Sequence, residues 1–401
     1  MASLGTDVVD TADLIAAFSP MEAGPGTSFA KRLRLVHPQL GASSIRTAAI
    51  LVALTWLPLF TFSWMEGLAF GRVKIPFCYD IAAHVRFLFA VPVLVLAEIP
   101  IGRRLREVAG LLLTSGLVRT EDVGKLQSIF VESLRLRDSR IVEIFIVIAV
   151  YVSSYTTIFE ASYQSGNTWF RPTPQVGLTP VGYWYALVAV PVFQFLIFRW
   201  IYRMAVWSKC LLGISRLDLR LMPTHPDHAG GLGFLSQSLP PFGLILFALS
   251  SVVSGAIASR ILFEGGRFQE FQWSYLVLFI LFVIIFAGPM LIFTPKLLAL
   301  QARGLEEYRA LATQYAQSFH QKWVERSDER QELLGTSDIA PLGDLETSYE
   351  MVKKMRFVPI ELGDFIAMVV PGLLPAIPLL LTVVPPSVIV KTLLKLVTVA
   401  A

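Results

Sequence analysis

Residues 220–241 read RLMPTHPDHAGGLGFLSQSLPP, and within them His225, Asp227 and His228 place two imidazoles and a carboxylate inside four residues. Those side chains are ligand types for a divalent metal. Gly230, Gly231 and Gly233 follow directly, and a glycine-rich backbone can turn successive amides toward a phosphate or another anion. Pro226 stiffens the same stretch, and Asp227 equally suits the cap of a helix that resumes after it. Three readings therefore stand side by side: a metal site, an anion or headgroup site, and a structural turn. HPD also occurs in J-domains, but within a small soluble helical hairpin that has no counterpart around residue 226. No Walker loop, dinucleotide fingerprint or haem ligand pair is visible elsewhere in the chain.

Few other residues could do chemistry. His84 and Arg86 sit about one turn inside an apolar segment and are the best binding candidates at membrane depth. Asp80, Glu98, Glu143 and Glu160 lie near segment ends, where side chains can reach an interface and escape the cost that marks a proton relay.

The elements that must position these residues follow from composition. The chain is 54% hydrophobic and 16% charged with mean hydropathy +0.61, against roughly 25% charged for a soluble domain. Apolar runs occur at about 45–65, 81–101, 141–159, 181–205, 242–263 and 273–300, with a proline-rich seventh at 365–384. They are continuous rather than alternating, which excludes a barrel, and each approaches the roughly 20 residues needed to cross the hydrocarbon. The fold class expected is all-α: a polytopic transmembrane helical bundle with long cytoplasmic helical extensions. Nothing before residue 40 has the basic start and apolar core of a signal peptide. Residues 1–44 are expected to be a cytoplasmic, partly disordered segment, 45–300 the six-helix membrane region, 301–364 a helical stem, and 365–401 a seventh membrane segment with an interfacial tail. No internal repeat stands out.

Basic residues set the orientation. Lys31, Arg32, Arg34 and Arg46 precede the first run. Arg103, Arg104, Arg106, Arg119, Lys125, Arg135, Arg137 and Arg140 separate the second from the third, and Arg199, Arg203, Lys209, Arg216 and Arg220 follow the fourth. The alternate connections carry only Arg72, Lys74, Arg171, Arg260 and Arg267. That alternation, seventeen against five by count of those residues, predicts a cytoplasmic N-terminus. It also accounts for the sequence pI near 9.0 through loops that face anionic lipid, so nucleic acid is not needed as a partner. Cys78 and Cys210 fall on opposite sides, which predicts no intrachain disulfide.

TEDVGKLQSIFVESLRLRDSR (120–140) reads as an amphipathic helix capped by Thr120. Leu305, Tyr308, Leu311, Ala312, Tyr315, Phe319 and Trp323 recur at steps of three and four. They extend the sixth helix into one continuous element over 273–330 with an aromatic stripe. That stripe packs either on the chain's own 103–140 helices or on a second subunit. Pro58, Pro92, Pro191 and Pro289 fall inside membrane runs and predict kinks. Ser251, Gly255 and Ser259, with Ser250 and Ser254, form a small face that serves either close helix packing or a polar pore lining.

The carboxyl end places Pro371, Pro375, Pro378, Pro385 and Pro386 in an apolar run, with Lys391 and Lys395 beyond it. Such a segment crosses as a broken helix or dips in and returns. Together with HPDHAGGLGFL, this end resembles a family of uncharacterised polytopic bacterial membrane proteins. In them a long helix, a short DLETSYEMVKKMR helix, VPI and a LLPAIPLLL segment follow in the same order. The resemblance covers mainly residues 215–400, implies this topology and an inner-membrane location, and brings no activity with it.

Kinked helices, irregular backbone at depth and small-residue faces suit a homo-oligomeric channel or transporter-like protein, with ions among its candidate cargo, because that reading demands the least visible chemistry. The alternatives are a metal-dependent or lipid-headgroup enzyme using the 225–233 loop, and a scaffold that recruits a partner through its stem. The partners expected are the lipid bilayer and further copies of the chain; no cofactor is expected unless His225, Asp227 and His228 take a divalent metal. A single cysteine placed at Ser165 in a cysteine-free background should react with an impermeant maleimide on intact cells. Reaction only after permeabilisation would reverse the orientation.

Overall fold

The computed structural model describes residues 40–164, 167–172, 178–325 and 340–379. The expected N-terminal segment up to residue 39, and Pro385, Pro386, Lys391 and Lys395, lie outside these residues, as does the side chain of Glu160. The described residues form helices and turns joined by isolated bridges, with no β-strand among them.

Among them, six helices are long and apolar enough to cross a membrane: Ser44–Met65, Ile81–Thr114, Pro180–Ser215, Gly233–Glu264, Gln269–Phe286 and Leu362–Leu379. In chain order we name α1 (Leu40–Met65), α2 (Ile81–Thr114), α3 (Val123–Arg137), α4 (Arg140–Gln164), α5 (Pro180–Ser215), α6 (Gly243–Glu264), α7 (Phe268–Phe286), α8 (Thr294–His320), α9 (Ala340–Lys353) and α10 (Leu362–Leu373). Helix α4 has 25 residues, about 37 Å at 1.5 Å per residue, so it too is of crossing length. Ile144, Phe145, Ile148 and Val152 on α4, and Val277, Ile280, Leu281 and Ile284 on α7, are exposed. Water would not tolerate two such apolar helix faces, and lipid would.

The membrane helices follow a tandem plan. Helices α1, α4 and α6 end at Met65, Gln164 and Glu264. The returning helices α2 and α5 carry Pro92 and Pro191, and Pro289 follows just after α7, at steps of 99 and 98 residues (191 − 92 and 289 − 191). Around these prolines stand LFAVPV (88–93), LVAVPV (187–192) and IFAGPM (285–290). Regular α geometry yields ahead of the first two prolines, in π-helical turns at Val85–Ala90 and Tyr185–Ala189, and at the third itself, in a 3-10 segment at Gly288–Phe293. The first two hairpins thus break alike, and the third shares the proline spacing with a different break. Membrane segments resemble one another in hydropathy, so what marks the first two hairpins as alike is the position of the backbone break, which hydropathy does not report.

Proline removes an amide hydrogen and its ring crowds the carbonyl four residues earlier. A wider π turn relieves that crowding in α2 and α5, where Val91 N–H reaches Arg86 O and Val190 N–H reaches Tyr185 O. The freed carbonyls find donors on neighbours. Trp184 donates its indole N–H to Leu54 O, four residues before Pro58, at 3.2 Å. The Tyr151 hydroxyl donates to Leu187 O, four residues before Pro191, at 3.3 Å.

Helix α6 is the packing centre. Gly255 faces Val85 and Ala82 of α2, Gly372 lies against Leu246, and the Ser250 hydroxyl donates to Gly372 O at 2.7 Å. Ser254 meets the Tyr275 hydroxyl of α7, and Ser259 accepts the Ala82 amide at 3.4 Å. The small face therefore packs against helices, and its serines are bonded rather than lining an open path. Met368 lies at Gly243, Gly372 at Leu246, and Leu379 clusters with Ile257. The C-terminal segment thus runs parallel to α6 for about 21 Å without turning back before Leu379.

The sixth membrane helix is not continuous with the stem. Helix α7 stops at Phe286, and the turn at Gly288–Phe293, with Met290 and Phe293 buried, separates it from α8. Within the chain the stem packs chiefly on an element other than the expected 103–140 helices. It lies against α9: Gly304 faces Val352 and Pro223, and Gln301 Nε2 donates to Val352 O and Lys353 O at 3.3 and 3.2 Å. Helix α3 instead lies along α5, with Ile129 against Gly213 and Lys209 paired to Glu132 at 2.7 Å. Its α-helical turns begin at Val123, after a 3-10 turn over Thr120–Asp122, so Thr120 is not the helix cap.

Replacing Gly255 by Leu should destabilise the bundle by about 1–3 kcal/mol through overpacking against Val85. An unchanged melting temperature in detergent would place that face away from α2.

Candidate functional site

The 222–238 loop is organised around one carboxylate. Asp227 Oδ1 accepts the amides of Ala229 at 2.8 Å and Gly231 at 3.1 Å, and Oδ2 accepts the amide of Gly233 at 2.7 Å. Burial pushes this carboxyl up, but the three amides and the His225 imidazole outweigh it and hold it below the usual carboxylate range. Gly231 must be glycine because its φ is +96°, and Gly233 because a Cβ there would stand 2.8 Å from Asp227 Cβ. Gly233 opens a 3-10 turn, Gly233–Ser238, so Asp227 does cap an element. It does so across six residues and binds two loop amides besides, unlike an ordinary helix N-cap.

The loop is also fastened from outside. Arg356 Nη2 donates to Asp227 O, Nη1 to Ile360 O at 2.8 Å, and its own amide to His228 O at 2.7 Å. The Glu361 amide donates to Ser236 Oγ at 2.7 Å, and the Tyr308 hydroxyl approaches Thr224 Oγ1 at 3.4 Å. Arg356 escaped sequence reasoning because it lies 129 residues from its partner.

Of the residues expected in this loop, His225 and Asp227 come together, with Nδ1 to Oδ1 at 2.8 Å. His228 adopts φ +51°, and its Nδ1 is buried without a partner. Among the described residues no group of three or more His, Cys, Asp or Glu side chains could hold a metal ion. The amides of Gly231 and Gly233, expected as an anion cradle together with Gly230, already hold the chain's own anion.

A second polar region lies between α2 and α5. His84 accepts the Trp56 indole N–H at Nδ1, 2.9 Å, and its Nε2 faces Cys78 O at 3.2 Å. A carbonyl only accepts, so Nε2 carries the hydrogen, and both ring nitrogens are spoken for. His84 is thus a structural tie inside an aromatic cluster with Phe77 and Trp56. Arg86 behaves otherwise: Nη1 donates to the Tyr185 hydroxyl at 2.7 Å, and its guanidinium carbon stands 5.9 and 5.7 Å from the rings of Phe87 and Phe193.

Toward the other end of the same pair of helices, Glu98 meets Arg199 at 3.0 Å and Arg203 at 3.2 Å. Arg203 is 0% exposed and lies over the Trp200 ring at 5.1 Å. The Glu98 side chain, expected to be free to reach an interface, is 13% exposed and paired with both arginines. Arg199 and Arg203 also stop counting as loop charges, because both lie within α5 and are paired. The signal was their shared helical face, four residues apart, but the partner carboxylate is 101 residues away from Arg199.

No family model, curated protein or solved structure matches the chain. Function must therefore be read from the two regions themselves. The carboxylate and glycine amides of the loop are taken up by one another, whereas the seam between α2 and α5 holds three arginines and one carboxylate within membrane-crossing helices.

Replacing Asp227 by Ala should cost about 2–3 kcal/mol at neutral pH, since a charged acceptor for three amides is lost. The native carboxyl titrates lower than the unfolded one, near 3.9. Its contribution is then present above that pH and is lost as pH falls through the folded value. Thermal unfolding from pH 7 to pH 3 should show a steeper acid loss in the native protein than in Asp227→Ala. Parallel curves would contradict the assignment.

Proposed function

We propose that this chain is a multi-pass transport protein, a homo-oligomeric channel or transporter-like assembly of a bacterial inner membrane, with its N-terminus in the cytoplasm. The observation that carries the reading is the polar seam between α2 and α5. Buried charge inside crossing helices is costly and serves substrate or ion paths in membrane proteins. At one end of the seam Arg86 and Tyr185 sit where both helices widen into π turns ahead of a proline, and such π turns recur at functional sites. The basic loops support the orientation, and the six apolar helices support the multi-pass placement.

An enzyme acting at the 225–233 loop would first have to displace the Asp227 carboxylate from Gly231 and Gly233, so it is the weaker reading. A metal held there would likewise compete with those amides for Asp227. A scaffold role would use the outer part of α8, where Leu311 is exposed.

Purified protein in liposomes should pass halide, sodium or potassium ions faster than protein-free vesicles under an imposed potential. Folded protein that moves none of these ions would remove the proposal.

A further inference from the structure

Among the arginines between α2 and α5, the half-buried Arg86 is the exception. Arg199 and Arg203 share Glu98. Among the described residues no carboxylate comes within ion-pair distance of Arg86, whose polar partner is the Tyr185 hydroxyl. Its Nε is buried and has no hydrogen-bond partner. A guanidinium stays charged at any accessible pH and offers five N–H donors in a fixed fork. The faces of Phe87 and Phe193 offset part of the cost of half-burying that charge, but a ring neutralises nothing.

The position is defined by the backbone. Arg86 is six residues before Pro92, and Tyr185 is six residues before Pro191. Each residue's carbonyl accepts the π-type bond from the residue five ahead. Equivalent positions of two consecutive hairpins thus meet side chain to side chain. Arg86 lies six residues from the cap Asp80, and Tyr185 six from the cap Thr179, so both sit about 9 Å inside the helix ends. Tyr185 accepts from Arg86, which leaves its own proton to donate.

We propose that Arg86 and Tyr185 form a binding site for a small monoanion, a halide or a carboxylate the size of formate, at the joint of the first two hairpins. One uncompensated positive charge, an aromatic wall and a spare phenol proton favour a singly charged, weakly hydrated anion over a dianion. The proposal rests on the transport reading only in naming its substrate class. Binding at the site and passage through the membrane are separately measurable.

The test uses the full chain, purified in detergent and in liposomes. At constant ionic strength, replacing sodium gluconate by sodium chloride or sodium formate should raise the melting temperature of the native protein. Arg86→Gln should remove that rise, and Tyr185→Phe should weaken the apparent affinity on the order of tenfold, as loss of a hydrogen bond to a charge does. Arg86→Lys keeps the charge without the fork and covers the case in which Arg86→Gln does not fold. It should bind more weakly than the native protein while melting normally in gluconate. Equal melting in all three salts, or an anion-dependent rise that survives in Arg86→Lys and Tyr185→Phe at native strength, would overturn the site. Cation flux without anion effects would sink this inference and leave the transport reading. Anion-dependent stabilisation without any flux would do the reverse.

Discussion

In hydrocarbon a backbone carbonyl without a donor costs several kcal/mol, because no water is present to replace the lost bond. The architecture answers that constraint repeatedly. Trp184 serves Leu54 O ahead of Pro58, Tyr151 serves Leu187 O ahead of Pro191, and Ser250 serves Gly372 O beside Pro371. Trp200 serves Leu94 O two residues after Pro92. Each donor sits on a different helix from its acceptor, so the devices that let prolines enter the membrane also tie the helices into one bundle.

The same accounting governs charge. Glu98 is the counter-ion that allows two arginines to be buried in α5, and removing one member of such a set leaves an uncompensated charge that is far costlier than the set is stabilising. At the loop the logic is inverted: Asp227 brings the anion, and backbone amides provide the compensation. Arg356 then fastens the loop through carbonyls rather than through the carboxylate. In both places the chain supplies its own partner, which is why Arg86, faced by a phenol and two rings, stands apart.

Breaks in helix geometry are placed with equal economy. A π turn widens the helix ahead of Pro92 and Pro191, and a 3-10 turn carries Pro289 between α7 and α8. The first two keep their helices continuous through the membrane, and the third ends one helix and starts another. One recurring sequence feature therefore gives two outcomes, according to whether the following residues are membrane-spanning or, as in α8, polar on most faces.

The sequence by itself determined that the chain is helical, crosses a membrane several times, and where most crossings begin and end, because hydropathy and helix length are local properties. Pro58, Pro92, Pro191 and Pro289 were legible as irregularities, and Gly255 as a close-packing point, for the same reason. The tertiary structure alone decided what those features do. Asp227 reads equally as ligand, cap or turn until its oxygens are seen on the amides of Ala229, Gly231 and Gly233. His84 reads as an intramembrane ligand until Trp56 and Cys78 take both its nitrogens. Glu98 reads as an interfacial side chain until Arg199 and Arg203 arrive from another helix. In each case the deciding partner is remote in the chain or is backbone, and neither leaves a mark in residue type or spacing, since a hydrogen bond is fixed by position in space.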